Sequence, residues 1–210
     1  MSSLQNNIEH LVREKLAVTD AGHDWWHAVR VRNNAMKIAE QEGGDLLVIE
    51  VAALIHDLVD DKFFEPEEAI QDVGFFLAEQ GLDNDRINQV VEIITTMSFS
   101  KELEGLKVTS LESRIVQDAD RLDAIGAIGI ARAFSYGGHK QREMYNPDIA
   151  PVKHADASSY RNNGGHTINH FYEKLLFLKD KMKTAAGRQM AQQRHGFMEA
   201  YLEQFYAEWG

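Results

Sequence analysis

Residues 46–59 (Leu-Leu-Val-Ile-Glu-Val-Ala-Ala-Leu-Ile-His-Asp-Leu-Val) are apolar almost all the way round a helix. The run is long for a strand and far short of the roughly 20 apolar residues that span a membrane. A helix with no polar face belongs in the middle of a protein, where other elements cover it. The segment therefore predicts a central, buried helix. Asp45 supplies a natural N-cap for it, and Gly43-Gly44 ends whatever comes before.

The covering elements read as helices too. Leu4, Ile8, Leu11 and Val12 share one helical face, as do Ala28, Val31, Ala35 and Ile38. Pro66 opens a further helix with Ala69, Val73, Phe76 and Leu77 inward, and Gly81 stops it. Ile87, Val90, Val91, Ile94 and Met97 mark the next. A longer helical stretch starts near Ser110 and is expected to run to about Tyr136. Its small residues Ala124, Gly126, Ala127, Gly129 and Ala131 permit close packing or close approach of a ligand. Residues 137–165 break the pattern with paired glycines and two of the three prolines, and read as a long loop with room for a small hairpin. Two more apolar faces follow: Ile168, Phe171, Leu175, Leu178 and Met182, then Met190, Phe197, Met198, Tyr201 and Phe205. There is no repeat and no convincing strand pair. The expected architecture is all-α in one domain, with a core over about residues 20–136, a loop at 137–165 and a smaller C-terminal helical part at 166–210.

Composition narrows the function. A formal net charge of -11 repels polyphosphate backbones, so a nucleic-acid polymer is not an expected partner. A small anion is still acceptable where a cation or a few basic side chains reverse the field in a cleft. The absence of cysteine excludes disulfides, thiolate catalysis and Cys-based zinc sites. With a polar N-terminus and no membrane-length run, the chain fits the cytoplasm.

Three segments concentrate metal-capable side chains: His23-Asp24-Trp25-Trp26-His27, His56-Asp57-Leu58-Val59-Asp60-Asp61, and Asp118-Ala119-Asp120-Arg121-Leu122-Asp123. A single His-Asp pair is a weak motif. The position of His56 and Asp57 is more telling, because they interrupt a helix that is otherwise core. Burying an ionised carboxylate is costly without compensation. A divalent cation compensates it, since imidazole and carboxylate are natural ligands. A buried His–Asp hydrogen bond does so as well, and local physics does not separate the two. Asp118 repeats the oddity after Ile115-Val116, and two polar insertions into separate core helices favour a shared partner.

These residues resemble the signature of the HD superfamily of metal-dependent phosphohydrolases: a His, a His-Asp pair, then a distant Asp. The resemblance rests on His-Asp-x-x-His-x-x-x-Val, Ala-Leu-Ile-His-Asp-Leu and Val-Gln-Asp-Ala-Asp-Arg-Leu-Asp-Ala. It extends through residues 126–138 and the His-Phe-Tyr-Glu-Lys-Leu-Leu stretch at 170–176, and is narrowest with the small bacterial YedJ- and YpgQ-like branch. It implies an HD-domain helical bundle and a metal held by His27, His56, Asp57 and Asp118. Manganese is the ion implied, with Mg²⁺, Co²⁺, Ni²⁺, Fe²⁺ or Zn²⁺ as alternatives. Asp60, about one turn past Asp57, stands where related enzymes orient water or move a proton. Asp24 is a second catalytic candidate, which supports His27 or touches substrate, and it also suits an N-cap. Candidate phosphate binders are His23, Lys62, Arg132, His170 and Lys174, the last two chosen as an i, i+4 pair on one helix. Trp25 and Trp26 pack in the core or stack on a base.

The implied reaction is hydrolysis of a small nucleotide, with a nucleoside triphosphate giving monophosphate and pyrophosphate. A 5′-nucleotidase and a non-catalytic nucleotide-binding regulatory module are the alternatives. A homodimer is compatible with the chain.

Overall fold

A computed structural model describes residues 3–16, 24–59, 65–98, 101–102, 105–152 and 165–210. His23, Asp60 and Lys62, expected at the site, lie outside the described residues. Among the described residues every regular element is a helix, as the periodicity requires. None of these helices is long and apolar enough to cross a membrane. The chain divides into two compact units, Met1–Ala119 and Asp120–Gly210.

In the first unit, α1 (Ser3–Leu16), α2 (Trp25–Glu42), α4 (Pro66–Glu79) and α5 (Asn84–Thr96) gather around α3 (Leu46–Ile55) and the 3₁₀ turn His56–Val59 that continues it. The apolar run is central as expected: α3 packs against α1, α2 and α5, and Val48 to Ile55 are buried apart from half-buried Glu50. Each large aliphatic side chain removed from water contributes about 1.5–3 kcal/mol before entropy is subtracted. Glu50 is stabilised at the α1–α2–α3 junction, where it accepts from Arg32 and, at 2.7 Å, from Gln5.

The helix starts are set by short acidic side chains. Asp24 Oδ1 accepts the His27 amide at 2.7 Å, Asp45 accepts those of Leu47 and Val48, and Asp83 accepts that of Arg86. Arg86 also donates to Asp45 at 2.9 Å and so ties the start of α5 to the start of α3. Burial by itself pushes the Asp45 carboxyl up, but the Arg86 hydrogen bond and the two amides override it and hold the group below its ordinary value.

Two expected boundaries move. The stretch from 110 to 136 is two helices, α6 (Leu111–Asp123) and α7 (Gly126–His139). The chain turns at Ile125, which is extended, and at Gly126, whose φ of 76° suits glycine. A side chain at Gly126 would also meet Arg194 at 3.0 Å. Gly129 also serves close approach, since a Cβ on it would lie 2.3 Å from the Ala124 carbonyl oxygen, whereas Ala127 and Ala131 are exposed. The expected loop then starts later, because α7 runs through Gly137 to His139. Gly137 is there for contact, since a Cβ on it would lie 2.2 Å from Thr167 Oγ1. No hairpin occurs at 140–152, and 153–164 lie outside the described residues.

In the second unit α7 packs on α8 (Thr167–Glu173) and α9 (Ala185–Trp209), joined by a 3₁₀ helix, Leu175–Lys181. Ile168, Phe171, Leu175, Leu178 and Met182 are all buried, as the pattern requires. The stripe of α9 is shifted. Ala191, His195, Met198 and Leu202 face inward, and Phe197 points out at 55% exposure. The α9 aromatics instead collect around Tyr145, whose ring is edge-on to His166, Phe205, Tyr206 and Trp209 at 5.0–5.9 Å.

Candidate metal centre

The site grows from two helix ends. His27 is the third residue of α2, and the Asp24 cap fixes the backbone of that first turn. His56 stands where α3 tightens from α to 3₁₀, followed at once by Asp57. All three side chains are buried, at 1%, 7% and 7% exposure. His56 Nδ1 donates to the Ala53 carbonyl at 2.9 Å. A carbonyl only accepts, so Nδ1 carries a proton, and Nε2 is the ring nitrogen turned toward His27 and Asp57.

There it meets His27. The two Nε2 atoms lie 3.2 Å apart, with rings inclined at 66°. Asp57 closes the group, with Oδ1 3.2 Å from His56 Nε2 and Oδ2 3.5 Å from His27 Nε2. Yet Asp57 Oδ2 is buried without a hydrogen-bond partner among the described residues. Ligand atoms of His27, His56 and Asp57 all fall within 4.8 Å of one another. Two imidazole nitrogens and a carboxylate with an orphaned oxygen, turned toward one point out of water, are poorly served by hydrogen bonds alone. A divalent cation satisfies all of them, and the donor set fits one.

Asp118 is not within that three-residue group. It is fully buried on α6 in the same unit. Asn34, two turns along α2 from His27, directs its Nδ2 to the Ala119 carbonyl at 3.4 Å. Gln117 directs Nε2 to the Met97 carbonyl at 2.8 Å. Neither residue was singled out by sequence reasoning. The available signals were the helical spacing of Asn34 from His27 and an amide beside the Asp118 position.

Other candidates scatter. Asp24 is exposed and engaged as an N-cap. Arg132 donates to buried Asp123 at 2.7 Å, which gives Asp123 a structural partner in the second unit. His170 and Lys174 do not share a helix: α8 ends at Glu173, and Lys174 is its C-cap, outside helical geometry. The expected i, i+4 face is therefore absent. Trp26 is 59% exposed rather than core, and the Arg13 guanidinium lies over both Trp25 and Trp26, at 4.9 and 5.6 Å.

A helical unit with a buried His, His-Asp site is what the HD fold provides, and the HD-domain family model matches residues 25–125, a span that holds His27, His56, Asp57 and Asp118. The chain belongs to the HD-domain family, a class of metal-dependent phosphohydrolases in general. It is 40% identical to the YpgQ protein of Bacillus subtilis, over 94% of this chain and 89% of that one. A protein of Lactobacillus plantarum has a crystal structure that matches with TM-score 0.84 at 41% identity, over 99% of this chain and 98% of its own. An HD-superfamily hydrolase from Bacillus thuringiensis matches at 0.78 and 41%, with the same coverage.

Proposed function

We propose that this protein is a metal-dependent phosphohydrolase of small nucleotides that cleaves nucleoside or deoxynucleoside triphosphates to monophosphate and pyrophosphate. The observation that carries the proposal is the convergence of the His27 and His56 Nε2 atoms with an Asp57 carboxylate that has one orphaned oxygen. His27, His56, Asp57 and Asp118 would hold a divalent cation, the two carboxylates offsetting its charge; Mn²⁺ would suit this mixed set better than Mg²⁺. Such a cation supplies Lewis acidity toward a phosphate oxygen and acidifies water.

The residues supply the rest. Asp60 accepts the proton of the attacking water. The new bond forms between water oxygen and the α-phosphorus as the bond to the β-phosphate bridge breaks, and pyrophosphate leaves with the electron pair. Basic groups steady that charge, with Lys62, His23, His170 and Lys174 as candidates. Arg132 is a weaker one, since Asp123 already engages it. Nucleotide as the substrate class is supported by a crystal structure of Bacillus subtilis YpgQ in complex with ADP, which aligns with this chain at TM-score 0.76 and 36% identity over 97% of this chain and 96% of its own.

The test is product analysis. Metal-stripped protein is incubated with Mn²⁺ and a panel of NTPs and dNTPs beside a His56→Ala control. Pyrophosphate and monophosphate above that control are expected. Orthophosphate from monophosphates would select a 5′-nucleotidase. Tight nucleotide binding without products would select a regulatory module.

A further inference from the structure

Asp118 is bracketed by two polar ties. The residue before it, Gln117, is 2% exposed and donates from Nε2 to the carbonyl of Met97, the C-cap of α5. Carbonyls at a helix C-terminus have no partner inside the helix, so this amide satisfies a group the fold leaves over. The residue after Asp118, Ala119, receives at its carbonyl the Nδ2 of Asn34 from α2, and Asn34 is also buried. One tie reaches α5, and the other reaches the helix that carries His27.

Packing alone does not account for Gln117. Its Oε1 is buried without a hydrogen-bond partner among the described residues, a cost that a methionine of similar length would avoid. The Met97 bond is the return on that cost, and it fixes the rotation and height of α6 next to Asp118. Metal sites tolerate little misplacement of a ligand, and groups that orient ligands weigh heavily in affinity.

Resting on the reading of Asp118 as a ligand, we propose that Gln117 and Asn34 are positioning residues that set where its carboxylate stands relative to the His27, His56 and Asp57 group. They act on the ion through α6, from opposite neighbours of Asp118.

Gln117→Met and Asn34→Leu, each close in size to the native residue, are compared with wild type and Asp118→Ala in the full-length protein. Two quantities are read with Co²⁺ as probe: affinity by titration, and the visible d–d absorption of the bound ion, which reports ligand geometry. The metal-free unfolding midpoint is measured alongside. Each positioning variant is expected to bind Co²⁺ about 10-fold more weakly, with a changed d–d spectrum. If Gln117→Met fails to fold, Asn34→Leu carries the test from the other side. Native affinity and spectrum in the folded variants, with only a lowered midpoint, would show a purely structural role and overturn the inference while Asp118→Ala still loses the metal. Native Co²⁺ binding in Asp118→Ala would instead overturn the ligand reading and the inference with it.

Discussion

At the residue scale, the site is a set of donors that suit a cation better than one another. Asp57 is the sharpest case, with one buried oxygen left without a hydrogen bond among the described residues. Asp57→Asn should therefore lose metal-dependent turnover while the metal-free protein gains stability by about 1 kcal/mol, because an amide N–H can replace a buried acceptor that lacks a donor. Urea unfolding in EDTA checks this, and a fall in stability would mean the carboxylate is structural. Asp24 separates two roles in the same way. As an N-cap it should cost about 1 kcal/mol when changed to Ala and almost nothing when changed to Ser, which also caps. Asp24→Ser should keep turnover as well; a loss of activity in a stable Asp24→Ser protein would assign the carboxylate to chemistry. His56 and Asp57 were legible as polar insertions in a core helix, but sequence alone did not separate a cation from a hydrogen bond. The converging ring nitrogens and the Asp57 oxygen left over among the described residues favour the cation. His27 was legible only through the family pattern, because its burial depends on how α2 packs.

At the scale of elements, periodicity was a good guide wherever a helix buries one face, as α2, α3 and the buried run from Ile168 to Met182 illustrate. It failed where backbone geometry or a neighbour decides. The break between α6 and α7 depends on a positive φ at Gly126, and the extension of α7 depends on the close approach of Thr167 to Gly137. The shift in α9 has a similar cause, because its C-terminal aromatics are drawn to Tyr145 in an irregular stretch that carries no period. The two adjacent glycines of α7 make a paired test. Gly138 has nothing within 4 Å of a new Cβ, so Gly138→Ala should stabilise by roughly 0.5–1 kcal/mol through helix propensity. Gly137→Ala should reverse that sign and destabilise by about 1–3 kcal/mol through overpacking against Thr167. Equilibrium denaturation of both variants checks the pair, and equal effects would contradict the packing.

At the scale of the whole molecule, the proposed ligands all lie in the first unit, within the span of the HD-domain match, and the second unit contributes candidate substrate contacts only by proposal. Metal should therefore report on the folded state: Mn²⁺ at 100 times its dissociation constant adds about 2.7 kcal/mol, and EDTA removes it. Acid acts through the carboxylates that anchor helix starts. The folded-state pKa of Asp45 is lowered, so its stabilisation is fully present above the ordinary carboxylate range and is lost as pH falls through the depressed value. Asp45→Asn should flatten the acid limb of a stability–pH profile below about pH 4 and leave the shape of the profile near pH 7 unchanged. The cation is proposed to be held by His27, His56, Asp57 and Asp118. Anomalous diffraction from crystals soaked in Mn²⁺ tests it most directly. A strong peak is expected within coordination distance of both Nε2 atoms and of the Asp57 and Asp118 carboxylates; an ordered site with no anomalous peak, or a peak that contacts none of these four residues, would contradict the metal centre.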